Sequence, residues 1–343
     1  MRIGLLTGGG DAPGLNAAIR SIVKRCEKYG FEAVGIKHGW AGILNNEYIE
    51  LSYEKIKNII GKSGTILKTS RTNPLKIDSG VDIVEKNVKK MKLDALIAIG
   101  GDDTLGVAKI LSESGLKIIG IPKTIDNDLK ETEATIGFDT AINTAMQTIE
   151  NLKVTSESHN RVIVVEIMGR HAGWIAFYSG IAAGADLILI PEQPFRLTDV
   201  IDFVKKKNVL GQKSLVIVVA EGALISDYQG PVTKNSRVDQ FGHVFLGGIG
   251  DFLAREIQRT VKVETRAITP AHIIRGGSPT AFDRVIATRY GIKSVDLIKE
   301  GKTGVMVALQ NGEVVSVPFS KTLIAGKMVS ESLYEEGKTF FTF

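Results

Sequence analysis

The stretch LDALIAIGGDDT (residues 93–104) joins a continuous apolar run to a glycine-rich turn that carries two adjacent carboxylates. Other short apolar runs rich in β-branched residues recur along the chain, with amphipathic helical patterns between them. The apolar runs cover residues 2–7, 33–37, 117–121, 161–167, 185–190 and 214–220, and the helical patterns cover 14–29, 80–91, 104–115, 140–154 and 197–207. Continuous apolar strands that alternate with amphipathic helices are typical of parallel sheets covered by helices on both faces. The sequence therefore predicts an α/β fold with mostly parallel sheets.

The length and composition are those of an ordinary globular protein. The chain has 343 residues, of which 43% are hydrophobic and 24% charged, and this length predicts two domains. The net charge of +5 suits anionic small substrates, and the sequence has no dense basic block with interleaved aromatics that would indicate a nucleic-acid partner. Cys26 is the only cysteine, and no apolar run approaches the roughly 20 residues of a membrane span. We therefore expect a cytoplasmic protein with no membrane partner.

Polar, glycine-rich segments follow several of the predicted strands. They read TGGGDAPG (7–14), GGDDT (100–104), PKTIDND (122–128), MGRHAG (168–173) and EGA (221–223). Ligands of open α/β sheets bind beyond the carboxyl ends of the strands. Glycines in the first loop also let an anion approach the backbone closely. The sequence therefore predicts a ligand site built from these loops.

The common nucleotide-binding loops are absent from the sequence. A P-loop needs a glycine five residues before a Gly-Lys-Ser/Thr triplet, and at the three such triplets that position holds Ile56, Asp296 or Ser332. The dinucleotide fingerprint fails because its third glycine would fall on Pro13. The triple-glycine loop is therefore predicted to bind phosphate in another way.

Several motifs in one order make the chain resemble the 6-phosphofructokinase family. They are TGGGDAPGLNAAIR (7–20), GGDDT, IPKTIDND (121–128), MGRHAG and HIIRGGSPTAFDR (272–284). The resemblance implies two Rossmann-like, three-layer α/β domains with the active site in the cleft between them. We expect a larger domain that binds the phosphoryl donor (1–139 plus about 256–303) and a smaller domain that binds fructose 6-phosphate (140–255 plus about 304–343). It also implies a homo-oligomer, a dimer or a tetramer, in which a neighbouring subunit completes each sugar-phosphate site.

The resemblance assigns the proton transfer to the second loop. It implies that Asp126 is the general base that takes the proton from the 1-hydroxyl of fructose 6-phosphate, which suits a poor hydroxyl nucleophile. Thr124 and Asp128 flank the base as positioning groups, and Ile125 belongs to the same substrate-binding segment. Arg170, in MGRHAG, lies near the reacting centre.

The resemblance also assigns a donor site and a metal. Asp102 matches the carboxylate that engages Mg²⁺, and Arg71 resembles an arginine that contacts the phosphates during transfer. The predicted donor-binding residues are Gly10, Arg71, Gly101, Asp102, Asp103 and Thr104. Arginine suits such a site because its planar guanidinium forms bidentate, charge-assisted hydrogen bonds with phosphate.

The remaining matches concern fructose 6-phosphate. Glu221 matches a ligand of a sugar hydroxyl, and His272 and Arg275 match a clamp on the 6-phosphate. Arg161 and Arg266 match arginines lent by the adjacent subunit. The predicted substrate-binding residues are Thr124, Ile125, Asp126, Arg161, Met168, Gly169, Arg170, Glu221, Arg266, His272, Ile273, Ile274 and Arg275.

Two positions depart from the ATP-dependent branch of this family. That branch reads Gly-Gly-Asp-Gly-Ser and Pro-Gly-Thr-Ile-Asp-Asn-Asp, whereas this chain has Asp103 and Lys123 in place of small glycines. A carboxylate about 4 Å from the α-phosphate of ATP would cost about 4 kcal/mol at an effective dielectric near 20, or roughly a thousandfold in affinity. Lys123 adds bulk and a cation suited to the compact diphosphate. The sequence therefore predicts diphosphate as donor and includes both residues in the catalytic set.

Other functions are left open by the sequence. An ATP-dependent enzyme of the same family is the near alternative, if Asp103 turns aside and pairs with Lys123. NAD and lipid kinases share a GGD loop, but TIDND, MGRHAG and HIIRGGSP together argue against them. A non-catalytic sensor of sugar phosphates or nucleotides would not need Asp126.

The chain also departs from the regulated members of the family. Their effector site is rich in arginine; Arg20 fits it, but Lys24 and Lys153 stand where arginines are expected. Lysine can bind phosphate only as a point charge. We therefore predict little allosteric control.

Overall fold

Each predicted run lies close to a strand or helix of the structure, which also contains elements that the sequence analysis did not predict. The computed structural model describes residues 1–227, 233–238, 244–322 and 326–341. Its strands are β1 Arg2–Thr7, β2 Glu32–Ile36, β3 Tyr48–Leu51, β4 Ala95–Gly100, β5 Ile118–Pro122, β6 Val162–Ile167, β7 Leu187–Leu189, β8 Leu215–Ala220, β9 Thr233–Val238, β10 Val244–Leu246, β11 Thr265–Ile268, β12 Val305–Gln310 and β13 Glu313–Pro318. Its helices are α1 Leu15–Lys28, α2 Trp40–Leu44, α3 Tyr53–Ile56, α4 Gly80–Lys90, α5 Asp102–Glu113, α6 Phe138–His159, α7 Trp174–Ala182, α8 Leu197–Val209, α9 Ile249–Val261, α10 Ala281–Lys299, α11 Phe319–Thr322 and α12 Glu331–Gly337, with 3-10 turns at Pro74–Lys76 and Ala271–Arg275. Within the described ranges, no helix is long and apolar enough to cross a membrane.

The chain forms two compact units. The first unit consists of Met1–Thr140 and Arg275–Gly326, and the second of Ala141–Ile274 and Lys327–Phe343. The chain returns to the first unit at Arg275 and passes back to the second at Lys327. The sequence analysis expected these two boundaries near residues 256 and 303. Strand pairing accounts for the difference, because β11 extends the sheet of the second unit, whereas β12 and β13 extend the sheet of the first.

The first unit is built on a seven-stranded sheet with the order β13-β12-β5-β4-β1-β2-β3. Neighbouring strands from β12 to β2 are parallel, and the two edge strands β3 and β13 pair antiparallel. All six residues of β4 are buried, as expected for a strand covered on both faces. This arrangement confirms the predicted α/β class.

Alternate residues of the central strands form two separate cores in the first unit. On β4, Ile97 and Ile99 belong to one apolar cluster and Leu96 and Ala98 to the other, as the two-residue period of a strand requires. Helices α1 and α10 supply side chains to the first cluster, and α4 and α5 to the second. The sheet is therefore covered on both faces.

A buried carboxylate fixes the start of α10. Asp283 accepts hydrogen bonds from the backbone N–H groups of Gly137 and Thr140, each at 2.8 Å, and from the Thr140 hydroxyl. Burial raises the pKa of Asp283 to about 6, against the lowering effect of these hydrogen bonds. Because α10 packs against α1, this contact ties the end of the first segment to the segment that begins at Arg275.

The second unit contains a parallel four-stranded sheet with the order β11-β6-β8-β7. Strands β9 and β10 form a separate antiparallel pair. Glu166, on β6, is buried and accepts hydrogen bonds from the N–H groups of Gly248 and Gly250 at the start of α9. A carboxylate at this position also interacts favourably with the positive end of the helix dipole.

Candidate active site

Three of the predicted loops lie side by side at one edge of the first sheet. Strands β1, β4 and β5 are parallel neighbours, and the loops 8–14, 101 and 123–137 follow their carboxyl ends. Gly10, Asp102, Lys123 and Asp126 therefore come from adjacent strand ends of one unit. This is the edge at which ligands bind in open α/β sheets.

The triple-glycine loop is held by the two residues that precede Arg71. The Gly9 N–H donates to the Ser70 carbonyl at 3.1 Å, and the Thr69 hydroxyl donates to the Gly9 carbonyl at 2.6 Å. Gly9 has a φ of 76°, a conformation that favours glycine. Arg71 follows Ser70 directly and is exposed, so this predicted phosphate ligand lies next to the residue that anchors the loop.

Thr104 lies beneath the loops. It is buried, its hydroxyl and methyl group lie where a side chain on Gly8 or Gly100 would stand, and its carbonyl accepts a hydrogen bond from the Trp40 indole at 3.3 Å. Its position packs the first loop against the second. A direct contact between Thr104 and the donor stays a prediction.

Lys123 supports the glycine loop from below. Its side chain is buried, and its Nζ donates hydrogen bonds to the carbonyl oxygens of Gly8, at 2.9 Å, and of Gly10. An ammonium group has three N–H donors, so these two bonds leave one for another acceptor. The lysine therefore fixes the shape of the loop as well as placing a cation there.

The surroundings of Lys123 contain charges of both signs. Burial, followed by the positive charge of Arg275, lowers the pKa of the ammonium to about 8. Three carboxylates oppose this lowering: Asp11, Asp102 and Asp126. Lys123 therefore lies within electrostatic reach of the predicted metal ligand and of the predicted base.

The loop that carries the predicted base is braced by its own residues. The Asp126 N–H donates to the Thr124 hydroxyl at 3.2 Å, and the Thr135 hydroxyl donates to the Thr124 carbonyl at 2.6 Å. Asn127, with a φ of 50°, donates from its side chain to the Glu133 carbonyl at 3.3 Å. These contacts hold Asp126 half-exposed, while Ile125, before it, is buried in the core.

Asp102 and Asp103 form the first turn of α5. Asp102 is exposed and Asp103 half-buried. Carboxylates in this position interact favourably with the unpaired N–H groups of a helix start. Gly101 precedes them, and a side chain there would meet only ordinary contacts, with the Lys123 carbonyl at 3.7 Å and Thr124 at 3.8 Å.

Asp128 is the carboxyl group that the site perturbs most clearly. Burial raises its pKa to about 7, with further raising by the charges of Asp126 and Asp102, and the hydrogen bond with Thr124 opposes the shift. Three carboxylates thus crowd one region. A cation bound among them would relieve the repulsion.

Replacing Asp128 by asparagine should change the pH dependence of stability. Since folding raises the pKa of Asp128 from about 4 to about 7, the wild-type protein loses stability relative to the variant as the pH rises through this window. We expect D128N to match the wild type near pH 4 and to exceed it by about 2–4 kcal/mol at pH 8. Thermal unfolding at pH 5, 6, 7 and 8 measures the difference. A constant offset between the two proteins, or the same result for exposed Asp78→Asn, would contradict this account.

The motif HIIR is divided by the structure. His272 and Ile273 are exposed, and Ile274 is fully buried. Arg275 begins the segment that belongs to the first unit, where its guanidinium lies against Gly10. The buried side chain of Ile274 is part of the hydrophobic core, so a direct contact of this side chain with substrate stays a prediction.

A second cluster forms at the carboxyl ends of β6 and β8 in the second unit. These strands are parallel neighbours, and they are followed by Met168–Arg170 and by Glu221. The Gly169 N–H approaches Glu221 Oε1 at 3.5 Å, and the Gly222 N–H donates to the Gly169 carbonyl at 3.1 Å. A side chain on Gly222 would overlap the Arg170 carbonyl. The predicted sugar-binding residues of these two loops are therefore adjacent.

Arg161 and Arg266 lie at the amino-terminal ends of the strands of this sheet, opposite the loops described above. Arg161 precedes β6, and Arg266 pairs in register with Ile163 near the start of β6. Both arginines pair with Glu264, at 3.5 Å and 3.0 Å. The six residues of β6 span about 20 Å, so these arginines are separated from the Met168–Arg170 loop by the length of the strand.

Comparison with known proteins gives one consistent result. The sequence model described as phosphofructokinase matches residues 2–298. The chain is 51% identical over 343 residues to pyrophosphate--fructose 6-phosphate 1-phosphotransferase of Dictyoglomus thermophilum, covering 99% of each protein. It is 43% identical to ATP-dependent 6-phosphofructokinase 2 of Streptomyces coelicolor, covering 99% of this chain and 100% of that protein. The crystal structure of a pyrophosphate-dependent phosphofructokinase from Marinobacter aquaeolei has the same fold, with a TM-score of 0.81 and 20% identity over 100% of this chain and 92% of that one.

Proposed function

Since this chain belongs to the phosphofructokinase family, we propose that it transfers a phosphoryl group from diphosphate to the 1-hydroxyl of D-fructose 6-phosphate. The products are fructose 1,6-bisphosphate and phosphate. The relative at 51% identity is named for diphosphate and the relative at 43% for ATP, so overall similarity by itself leaves room for either donor. The observation that carries the proposal is the pair of residues in the donor loops, Asp103 and Lys123.

The donor loops favour a short, highly charged donor. Asp103 follows Asp102 in the first turn of α5, where its negative charge opposes the additional phosphate of a nucleotide. Lys123 holds the Gly8–Gly10 loop by its carbonyl groups and keeps its ammonium beside the loop. This combination excludes one donor and attracts the other.

In the proposed reaction, Asp126 is the general base. Its carboxylate accepts the proton of the 1-hydroxyl as the hydroxyl oxygen attacks the nearer phosphorus atom of diphosphate. The bond from that phosphorus to the bridging oxygen breaks, and inorganic phosphate leaves with the bridging oxygen. Phosphoryl transfer depends mainly on positioning and on neutralising charge. The Thr124 contact positions the base, and Lys123 and Arg71 contribute positive charge.

The donor loops also fit Mg²⁺. Asp102 is exposed at the start of α5, and its charge helps to raise the pKa of Asp128, so the carboxylates are close enough to favour a cation. In the part of the chain that the structure describes, no three His, Cys, Asp or Glu side chains form a ready-made metal cage. Mg²⁺ usually binds through one or two carboxylates together with substrate phosphates. We assign Asp102 as the protein ligand; the ion supplies neutralisation of phosphate charge when bound.

We infer that Arg161 and Arg266 serve the sugar-phosphate site of a neighbouring subunit. Both lie at the amino-terminal edge of the sheet, whereas Met168–Arg170 and Glu221 lie at the carboxyl edge. Side chains at opposite edges cannot reach one ligand bound at the carboxyl edge. We therefore propose a homo-oligomer, a dimer or a tetramer, in which these arginines reach the fructose 6-phosphate of an adjacent subunit.

The thiol chemistry supports the predicted cytoplasmic location. Cys26 is buried, and burial raises its pKa to about 12. A thiol in this state is an inert core group. With this one buried cysteine, the chain has no intrachain disulfide that would require an oxidising compartment.

A coupled assay for fructose 1,6-bisphosphate tests the proposed function. Purified protein is supplied with fructose 6-phosphate and either diphosphate or ATP at equal free Mg²⁺, and matched samples receive EDTA. We expect turnover to be faster with diphosphate than with ATP. We also expect EDTA to abolish the turnover with diphosphate. Faster turnover with ATP would favour the ATP-dependent alternative, and no turnover with either donor would favour a non-catalytic sensor.

Allosteric effectors should have little influence on the rate. A cavity of about 670 Å³ in the first unit is lined by Arg20, Lys24, Arg25 and Lys28 among others, and the first three of these side chains already have protein partners. Arg20 donates to the Lys57 carbonyl at 3.0 Å and to the Tyr53 hydroxyl, and Lys24 lies 4.3 Å from the centre of the Tyr53 ring. We expect millimolar ADP or phosphoenolpyruvate to change the rate by less than about twofold. Sigmoidal kinetics relieved by ADP would contradict this prediction.

A further inference from the structure

Glu192, beyond the carboxyl end of β7, joins two segments of the second unit that are far apart in the sequence. Its Oε1 accepts hydrogen bonds from the Gly173 N–H at 2.9 Å and from the Val329 N–H at 3.0 Å, and its Oε2 lies 3.1 Å from the Gly173 nitrogen. These partners stand 19 residues before and 137 residues after Glu192. Hydrogen bonds to a charged acceptor are stronger than those between neutral groups. A single carboxylate therefore holds both segments.

Gly173 is the last residue of the loop that carries the predicted sugar-binding residues Met168–Arg170. The loop is short, because β6 ends at Ile167 and α7 begins at Trp174. A side chain on Gly173 would overlap Ile190 and lie 2.9 Å from Glu192 Oε2. The carboxylate also stands beside the unpaired N–H groups of a helix start, where a negative charge is favoured. The end of the loop is thus fixed closely against the segment that follows β7.

The loop is held at its beginning as well. The Gly169 carbonyl accepts a hydrogen bond from the Gly222 N–H at 3.1 Å. Gly169 has a φ of 152°, and a side chain there would lie 2.8 Å from the Ala172 carbonyl oxygen, so the loop folds back on itself. Arg170 lies between the two held positions. A displacement of Gly173 would therefore reach Arg170 within three residues.

The C-terminal segment 327–341 supports the second donor to Glu192. The Trp174 indole donates a hydrogen bond to the Lys327 carbonyl at 2.8 Å, and the Tyr334 hydroxyl donates to the Ile188 carbonyl at 2.7 Å. Val329 itself is buried. These contacts dock the segment on the start of α7 and on β7, so the Val329 N–H is held where it meets the carboxylate.

We propose that Glu192 is a positioning residue for fructose 6-phosphate, which fixes the Met168–Arg170 loop through Gly173 and ties this loop to the C-terminal segment. The inference rests on the proposed function, because the loop acts on that substrate. A loop that is already ordered loses less entropy when it binds its ligand. A small displacement of a positioning group is also enough to weaken a site substantially. Loss of Glu192 should therefore reduce the affinity for the sugar phosphate.

The test measures the binding of fructose 6-phosphate by calorimetry, without diphosphate, to the full-length protein and its variants. We expect Glu192→Ala to weaken binding at least about tenfold, since both hydrogen bonds to the carboxylate are lost. Glu192→Gln should bind within about threefold of the wild type, because its amide oxygen can accept the two bonds that Oε1 accepts. E192Q that binds as weakly as E192A would overturn the inference.

Asp186→Ala is the matched control. Asp186 is half-buried in the same unit and accepts a hydrogen bond from the Val216 N–H at 2.8 Å, but it lies before β7, at the end of the sheet away from the loop. D186A should bind fructose 6-phosphate as the wild type does. Equal weakening in D186A and E192A would overturn the inference, because general destabilisation of the unit would then explain both.

Steady-state kinetics separate a positioning role from a merely structural one. In E192A the KM for fructose 6-phosphate should rise at least about tenfold, while the KM for diphosphate should change by less than about twofold, because the donor loops belong to the first unit. A lower melting temperature with unchanged affinity for fructose 6-phosphate overturns the inference. If E192A does not fold, Glu192→Asp decides: it retracts the carboxylate by one methylene and should weaken binding at least about threefold, with wild-type affinity as the overturning result.

The failure of this inference is distinguishable from that of the proposed function. A wild type that binds fructose 6-phosphate without turning it over overturns the proposed function, while the binding comparison still decides the role of Glu192. A wild type that does not bind fructose 6-phosphate overturns both.

Discussion

Replacing Asp126 by asparagine should lower kcat with diphosphate and fructose 6-phosphate by about 10²–10⁴-fold, the usual contribution of a general base. Asparagine has nearly the same shape and keeps the backbone contact with Thr124, but it cannot accept the proton of the sugar hydroxyl. The KM values should change far less than kcat, because the groups that bind the two phosphates remain. The measurement is the coupled assay at saturating concentrations of both substrates.

Exposed Asp78→Asn removes the same charge from the first unit outside the donor loops and should retain wild-type kcat. Circular dichroism and thermal unfolding of D126N check that the loop is intact. A D126N variant with a kcat within tenfold of the wild type would reject Asp126 as the base. A rise in KM at unchanged kcat would instead assign it to binding.

The second large effect concerns the choice of donor. Replacing both Asp103 and Lys123 by glycine should shift the ratio of kcat/KM for ATP to that for diphosphate by on the order of a thousandfold towards ATP, from the charge repulsion at 4 Å alone. The structure adds a qualification, because Lys123 bonds the carbonyls of Gly8 and Gly10. The double variant should therefore lose more absolute activity than Asp103→Gly, in which the loop keeps its support.

Two further variants separate the causes of donor choice. Asp103→Asn removes the charge and keeps the bulk, so any gain in ATP use by D103N measures electrostatic exclusion alone. Lys123→Met removes the ammonium and keeps much of the volume beneath the loop. A double glycine variant that kept its preference for diphosphate would reject the assignment of these positions to donor choice.

The central strands were predictable because each is buried on both faces and reads as a continuous apolar run, as β4 does. Strands β12 and β13 were missed, although Asn311-Gly312 between them is a strong signal for a two-residue hairpin. Both residues have positive φ, 50° and 78°, as such a turn requires. Because that hairpin extends the first sheet, missing it also displaced the expected domain boundary.

The loops of the candidate site were predictable from short motifs at strand ends, whereas contacts between distant residues were not. The loops that carry Gly10, Asp102 and Asp126 follow β1, β4 and β5 as expected, and the roles of Asp102 as metal ligand and Asp126 as base stay predictions that rest on the family resemblance. Nothing in the local sequence indicates that Lys123 is buried, because lysine is usually exposed and its partners Gly8 and Gly10 are 115 and 113 residues away. Nor does the motif HIIR reveal that its histidine and its arginine belong to different units.

The support of the glycine loop by Lys123 restricts the order in which this protein could exchange one donor for another by single mutations. Loss of Lys123 first would leave the Gly8 and Gly10 carbonyls without their donor while Asp103 still excluded the nucleotide, so this intermediate would use neither donor well. Loss of Asp103 first would leave the loop intact and relax the exclusion. With the proposed roles of Asp103 and Lys123, we therefore expect the two substitutions to be epistatic. The path that loses Asp103 first should stay active, whereas the path that loses Lys123 first should pass through a poorly active protein.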